Sequence, residues 1–274
     1  MSRSPSELRR VDGRAGRFYA IDEHVSPLTG DERFPSVTHI LSVLSKPALV
    51  TWAATTERAL VLEAAADLYE DARHLKPMPR AGYLATLEQR LGQVRAHQKA
   101  QARALEIGSQ AHALIEHQIR KGLGQKVGPE PRTSPEALWA VMSAEDWFAT
   151  HTVKPRFVEV PVWHPTLGYA GTVDLVAEVD GVLAVIDWKT SKGLYAESDL
   201  QNVAYQAALA AMGHTTPQAG YVIRIPKTTA ETTVEVKVVP PVAELLPTFT
   251  ALCQVWRWWW AAEQANRAKW EASR

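Results

Sequence analysis

The sequence is poor in cysteine, with Cys253 as the single thiol among 274 residues. One cysteine excludes a disulfide framework, a cysteine-based zinc site and a four-cysteine iron–sulfur cluster within the chain. The sequence also lacks an apolar run long enough to span a membrane, and its beginning lacks a secretory signal. We therefore expect a soluble, cytoplasmic protein without membrane contact, and a phage or a cellular source is left open.

An excess of either charge is also missing, because 30 basic residues balance 30 acidic residues. No overall field attracts nucleic acid, so any binding of DNA or RNA would need a local basic groove. Internal repeats and low-complexity tracts are absent. The hydrophobic fraction of 46% is sufficient for a real core, and the length suits one large domain or two small ones.

The hydrophobic pattern divides the chain into a mainly helical first half and a mixed second half. Residues 1–14 are polar and are expected to be frayed, followed by a short strand at 17–21. Helices are predicted at 37–44 with Ser36 as N-cap, at 47–71, within 83–121, at 135–150, at 197–212 and at 242–272. Strands are predicted at 156–163, 219–226 and 232–239, with a hairpin between the first two. This order predicts an α/β (α+β) fold with a central mixed sheet flanked by helices.

The predicted hairpin, residues 168–189, carries the first chemical signal. Two β-favouring runs flank Asp180-Gly181, a dipeptide suited to a type I′ turn. If Val179 pairs with Val182, one face of the hairpin is wholly apolar and the other brings Asp174 opposite Asp187.

Directly opposed side chains lie roughly 4.5–5.5 Å apart between Cβ atoms, and like charges there destabilise a sheet. Lys189, on the same face as the two aspartates, offsets only part of their charge. Two carboxylates beside a lysine suit a divalent cation such as Mg²⁺. The alternative is a hairpin end that opens into solvent with both aspartates hydrated.

A second signal lies on the predicted helix around residue 112. His112 and Glu116 are one turn apart on a stripe with Leu105 and Ile119, and Gly108 adjoins that stripe. An imidazole and a carboxylate within an apolar stripe need a partner on burial, and neutral imidazole can bind Mn²⁺. A surface ion pair or a hydrogen-bonded buried histidine would explain the same pattern without a metal.

Two further groups are less specific. Gln201 and Tyr205 lie one turn apart on the helix that follows Lys189, so they can face the aspartates or belong to an ordinary amphipathic helix. A tryptophan cluster can stack on unpaired bases or pack in the core, and consecutive tryptophans around a helix require at least one in the core. The cluster and its neighbouring cations are Trp256, Trp258, Trp259, Trp260 and Trp270 with Arg257, Arg267 and Lys269.

Taken in order, GTVD (171–174), DWK (187–189) and QNVAY (201–205) resemble the PD-(D/E)XK nuclease pattern in its RecB-like branch. That branch reads G-x-x-D, D-x-K and Q-x-x-x-Y, and its upstream G-x-x-x-H signature is matched by Gly108 and His112. D-x-K alone is weak, whereas four linked elements in order are specific. The proline of the superfamily's name is replaced by Val173, as is common in this branch. The stretch FPSVTHILSVLSKPALVTWA also resembles the start of compact phage and mitochondrial-maintenance exonucleases of this superfamily.

The resemblance implies a restriction-endonuclease-like core at residues 98–274, preceded by a mostly helical extension at 1–97, and the two are expected to form one compact domain. It implies no iron–sulfur cluster, since the cysteines are missing. It assigns Mg²⁺ or Mn²⁺ to His112, Asp174, Asp187 and the Trp188 carbonyl, and catalysis to Asp174, Asp187 and Lys189. Supporting or substrate-binding roles fall to Glu116, Glu159, Gln201 and Tyr205; Glu159 is included because it lies opposite Val158, Val160 and Val162 on its strand.

The expected function is therefore a divalent-metal-dependent DNA exonuclease that acts on DNA ends or single-stranded DNA in replication, recombination or repair. The alternatives are an endonuclease specific for flaps or branches, and a non-catalytic nucleic-acid-binding recombination partner. DNA is the expected partner, and a homo-oligomer or a recombination partner protein is left open.

Overall fold

The computed structural model of the chain describes residues 8–13, 16–72, 79–92, 95–228, 230–231 and 233–273. The helices are α1 (Val37–Leu41), α2 (Pro47–Ala72), α3 (Arg80–Leu91), α4 (Ala96–Gly122), α5 (Pro135–Thr150), α6 (Ala196–Ala211) and α7 (Val242–Ala272). The strands are β1 (Leu8–Gly13), β2 (Gly16–Ile21), β3 (Arg33–Pro35), β4 (Val153–His164), β5 (Tyr169–Val179), β6 (Val182–Lys189), β7 (Ala219–Arg224) and β8 (Glu235–Val238).

The main sheet has the strand order β4-β5-β6-β7-β8. Strands β6 and β7 run in parallel and the other neighbours are antiparallel, so the sheet is mixed. One face packs on α4 and α5, for example through Leu114 and Val141, and the other packs on α1, α6 and α7, for example through Ile40 and Phe249. The predicted fold class, a central mixed sheet flanked by helices, is confirmed.

Close packing divides the chain into two units, Met1–Leu44 with Ile107–Arg274, and Ser45–Glu106. The first unit contains the main sheet and a second, three-stranded sheet of order β1-β2-β3. The second unit is helical. The predicted boundary between residues 97 and 98 stays a prediction, and residues 8–44 pack with the unit of the main sheet.

The prediction that the polar N-terminal stretch is frayed is wrong for residues 8–13. These residues form β1 and pair with β2 in antiparallel register. Polar side chains do not prevent this pairing, because an edge strand can leave them in solvent while its backbone groups bond to the neighbouring strand. The rest of that predicted segment, 1–7 and 14, lies outside the described residues.

The hairpin of β5 and β6 has the predicted register, with Val179 opposite Val182 and Leu175 opposite Ile186. Asp180 and Gly181 have φ values of 49° and 89°, as a type I′ turn requires at both central positions. The described β5–β6 ladder ends at Leu175 and Ile186, one pair before the aspartates.

The predicted Asp174–Asp187 ladder pair is therefore not formed. The Trp188 N–H donates to Asp174 Oδ2 at 2.9 Å. The Asp174 carboxylate thus replaces the backbone carbonyl of β5 that would accept this hydrogen bond in a continuous ladder. The strands separate at the position of the acidic side chains.

The buried stripe of α4 differs from the predicted one. Its buried residues are Ile107, Ala111, Leu114 and Ile115. Leu105 is 65% exposed, whereas Ile119 does pack against the core. His112 and Glu116 are half-buried at the edge of this stripe. That position gives both side chains access to the end of the sheet.

The tryptophans of α7 divide between core and surface. Trp256 and Trp260 are buried and their rings stack at 5.3 Å, so the prediction that at least one packs in the core is confirmed. Trp258 is 73% exposed. Within the described ranges, no helix has both the length and the apolar character needed to cross a membrane.

Candidate active site

The site lies where β5 and β6 separate, and α4 places His112 against it. His112 Nδ1 is 3.5 Å from Asp174 Oδ1, and its Nε2 is 3.1 Å from the Trp188 carbonyl oxygen. Neighbouring ligands of an octahedral cation lie ~3 Å apart when the bonds are ~2.1 Å long. The separation of the histidine and the aspartate is therefore close to that of two ligands of one ion.

Glu159 joins this pair through a distortion of β4. Its φ of 47° is in the left-handed region, which is rare for a residue other than glycine inside a strand. Val158 and Val160 flank it and pack in opposite cores, although residues two apart in a regular strand share a face. The predicted common face of Val158, Val160 and Val162 is therefore wrong.

The same change occurs on β5, where Val173 and Leu175 pack in opposite cores on either side of Asp174. Glu159 and Asp174 thus occupy the positions at which the side chains of two neighbouring strands switch from one face of the sheet to the other. In the described part of the chain, His112, Glu159 and Asp174 form a group whose ligand atoms lie within 4.8 Å of one another. This group combines one imidazole with two carboxylates.

Asp187 does not belong to this described group. It is buried on β6, and its Oδ2 is 2.6 Å from Lys189 Nζ. Lys189 Nζ also donates to Gln201 Oε1 at 3.1 Å, and Gln201 Nε2 donates to the Tyr205 hydroxyl at 2.9 Å. The predicted aspartate–lysine pair and the predicted glutamine–tyrosine pair therefore form one continuous chain of contacts.

Two glycines make this packing possible. A Cβ atom on Gly171 would lie 2.4 Å from Cε1 of Tyr205, so only glycine leaves room for that ring. A Cβ on Gly108 would lie 3.0 Å from Oγ1 of Thr190, one residue beyond Lys189. The glycines of both sequence signatures thus allow close approach of a helix to a strand.

Burial and mutual repulsion perturb the pKa values of the acidic groups. Burial raises the pKa of Asp187 to about 6, with Asp174 adding to the effect and Lys189 opposing it. Burial, reinforced by the charge of Asp174, raises the pKa of Glu159 to about 8. For Asp174 burial acts in the same direction, but the charges of His112 and Lys189 outweigh it and lower the pKa.

The two basic groups respond to the same carboxylates. Burial would lower the pKa of His112, but the charge of Asp174 and the hydrogen bond to it raise that pKa to about 9. Burial likewise opposes the charge on Lys189, yet Asp187 and Asp174 raise its pKa. The site therefore stabilises positive charge, which is the electrostatic condition for a cation among acidic ligands.

Glu116 has a partner that the sequence reasoning missed. Arg120 Nε donates to Glu116 Oε1 at 2.7 Å, and Arg120 Nη2 donates to the Val158 carbonyl at 2.8 Å. Arg120 thus fastens α4 to β4 next to Glu159. The spacing of one helical turn between Glu116 and Arg120 could have revealed this ion pair from the sequence. A second missed contact joins the Tyr19 hydroxyl to Thr172 Oγ1 at 2.9 Å.

The family model of the PD-(D/E)XK nuclease superfamily matches residues 80–273. The chain therefore belongs to this superfamily of nucleases. The human mitochondrial genome maintenance exonuclease 1 is 45% identical over 60 residues, which are 20% of this chain and 17% of the human protein.

Two solved structures are more distant. An alkaline exonuclease from Laribacter hongkongensis has a TM-score of 0.35 and 12% identity, and the match covers 66% of this chain and 88% of the exonuclease chain. The protein SSO0001 has a TM-score of 0.30 and 14% identity, covering 73% and 83%. Membership of the superfamily, rather than either distant match, supports a nuclease.

Proposed function

We propose that the protein is a divalent-metal-dependent DNA exonuclease that hydrolyses phosphodiester bonds at DNA ends or in single-stranded DNA. The observation that carries this proposal is the grouping of His112, Glu159 and Asp174 beside the Asp187–Lys189 pair. The partial likeness to a mitochondrial exonuclease favours action on ends. Roles in DNA replication, recombination or repair belong to the same proposal.

The donor set fits Mg²⁺ or Mn²⁺. Carboxylate oxygens suit both ions, and an imidazole nitrogen favours Mn²⁺ among them. His112, Glu159 and Asp174 would hold the cation, with the Trp188 carbonyl as a further oxygen beside the histidine. A bound cation supplies positive charge to the scissile phosphate and activates a water molecule. Asp187, which the sequence predicts as a metal ligand, interacts electrostatically with His112 and would be a further ligand.

The side chains of the protein perform the remaining tasks. Lys189 presents an ammonium held by Asp187 and Gln201, and it can orient the attacking water or stabilise charge on the phosphate oxygens. An arginine would not replace it, because the planar guanidinium presents its donors as a fork, whereas the ammonium is a compact point charge. Tyr205 fixes Gln201, and through it the ammonium.

The experiment compares the wild-type protein with Asp174→Asn and Lys189→Gln on 5′- or 3′-labelled linear DNA, with Mg²⁺ or Mn²⁺ and with EDTA. We expect cleavage that needs the metal, and a loss of at least about 10²-fold in kcat for each variant. Asp146→Asn, an exposed carboxylate on α5, is the matched control and should retain full activity. Wild-type-like cleavage by either site variant, or cleavage in EDTA, contradicts the proposal.

A circular single strand distinguishes the exonuclease from the alternatives. An exonuclease degrades the linear strand and leaves the circle intact, whereas a flap or branch endonuclease cuts a circular strand to which a flap-forming oligonucleotide is annealed. Binding of DNA with no metal-dependent cleavage of any substrate would instead indicate a non-catalytic nucleic-acid-binding protein.

A further inference from the structure

Two loops leave the main sheet side by side, at the end of the strands that carries the candidate active site. Strands β6 and β7 are parallel, and Lys189 and Arg224 are partners in their register. The Ile225 N–H donates to the Lys189 carbonyl at 2.8 Å, so the pairing continues just beyond the end of β7. The loops after both strands therefore begin next to Lys189.

Each loop carries a lysine three residues after the last register pair. These are Lys192 after β6 and Lys227 after β7. Neither ammonium has a hydrogen bond or an ion-pair partner among the residues that the structure describes. Lys192 is exposed and Lys227 is half-buried. Burial lowers the pKa of Lys227, and the charge of Lys192 lowers it further, so the two cations are within electrostatic reach of each other.

Two acidic residues between β7 and the start of β8 are engaged by Arg224. Glu231 attracts Lys227, but its carboxylate accepts from Arg224 Nη1 at 2.6 Å. Glu235 accepts from Arg224 Nη2, also at 2.6 Å. Arg224 thus takes both carboxylates. Two repelling ammonium groups without an ion-pair contact among the described residues favour an anion from outside the chain.

We propose that Lys192 and Lys227 together bind a backbone phosphate of the DNA strand whose scissile bond lies beside Lys189. This inference rests on the proposed nuclease function and adds substrate-binding residues to it. The chain has no net charge, so a polyanion that approaches a centre of three acidic side chains needs a local cationic contact. Lysine binds phosphate as a point charge without requiring a fixed approach, which suits a flexible strand.

The test replaces both lysines by glutamine and measures kcat and KM on a linear single strand over a series of salt concentrations. We expect KM at low salt to rise on the order of tenfold for each lysine, with kcat within about twofold of the wild-type value. The slope of log KM against log salt should fall by about 0.7 for each lost lysine contact on a single strand. K192R/K227R should restore both values, because the charges are kept.

K126Q/K154Q is the matched control, since it removes the same charge at positions remote from this end of the strands. Lys154 pairs with Glu178 near the hairpin turn, at the opposite end of the sheet, and Lys126 is exposed after α4. The control should leave KM and the salt slope unchanged. Melting temperatures of all variants exclude a folding defect.

An unchanged KM and salt slope in K192Q/K227Q overturns the inference, and so does an equal effect of the control pair. A loss of kcat with an unchanged KM overturns it as well, because it would place the lysines in the reaction and not in binding. If the wild-type protein cleaves no DNA, the proposed function fails. In that case, fluorescence anisotropy of a labelled strand in EDTA measures the dissociation constant, and its dependence on salt tests the lysine contact in the same way.

Discussion

Gly171→Ala is expected to disable the candidate site although it removes no polar side chain. The added Cβ would lie 2.4 Å from Cε1 of Tyr205 and about 3.3 Å from two further ring atoms. Since carbon atoms pack at roughly 3.5–4.0 Å, the ring or the strand must move by about 1 Å. Tyr205 is 4% exposed, so the ring has little free space into which it can move.

The magnitude follows from two opposing effects. Overpacking of a dense core typically costs about 1–3 kcal/mol. Replacing glycine at an ordinary backbone conformation restores about 0.4–1 kcal/mol by restricting the unfolded chain. We expect a net loss of about 1–2 kcal/mol in the free energy of unfolding. A displacement of about 1 Å carried through Gln201 to Lys189 should lower kcat by about 10²-fold.

Urea unfolding measures the first effect, and cleavage of linear DNA at saturating substrate measures the second. Gly128→Ala is the control, because nothing lies within 4 Å of its added Cβ. In a Tyr205→Leu background, Gly171→Ala should have less effect on both quantities, since the clashing ring is gone. Wild-type stability and kcat in Gly171→Ala would refute the steric argument.

Three other expectations concern the hydroxyl of Tyr205, the tryptophans of α7 and the single thiol. Tyr205→Phe leaves Gln201 Nε2 without its partner and should lower kcat about tenfold with unchanged metal affinity, which titration calorimetry with Mn²⁺ can check. Trp256→Ala should cost about 3–5 kcal/mol in urea unfolding, whereas the exposed Trp258→Ala should change it by less than about 0.5 kcal/mol. Burial raises the pKa of Cys253 to about 12, so a thiol reagent at pH 8 should label it only after denaturation; labelling of the native protein would contradict this.

The hairpin could be predicted because its determinants are local. Asp180-Gly181 specifies the turn, the turn specifies the register, and the register places Asp174 and Asp187 one residue beyond the last paired residues of the two strands, where their charges interact. The helical neighbours Gln201 and Tyr205 followed from spacing on α6. Each of these inferences depends on residues close together in sequence.

The parts that failed depend on contacts between distant segments. Glu159 was expected at the site, but from a regular alternation along its strand; it reaches His112 and Asp174 because the side chains of β4 switch faces at a left-handed residue, which no alternation pattern reveals. The ladder ends early because a side chain competes for the Trp188 N–H. Strand β1 was missed because its sequence is polar and only pairing with β2 stabilises it.

The early end of the β5–β6 ladder has a consequence for attempts to engineer the protein. A substitution that let the ladder continue past Leu175 and Ile186 would give a longer hairpin with more regular backbone bonding. It would also replace the hydrogen bond from the Trp188 N–H to Asp174 by a backbone bond, and so release the Asp174 carboxylate from its position. Thermal robustness and turnover should therefore be antagonistic at this point of the sheet, and screens for heat resistance should enrich inactive proteins there.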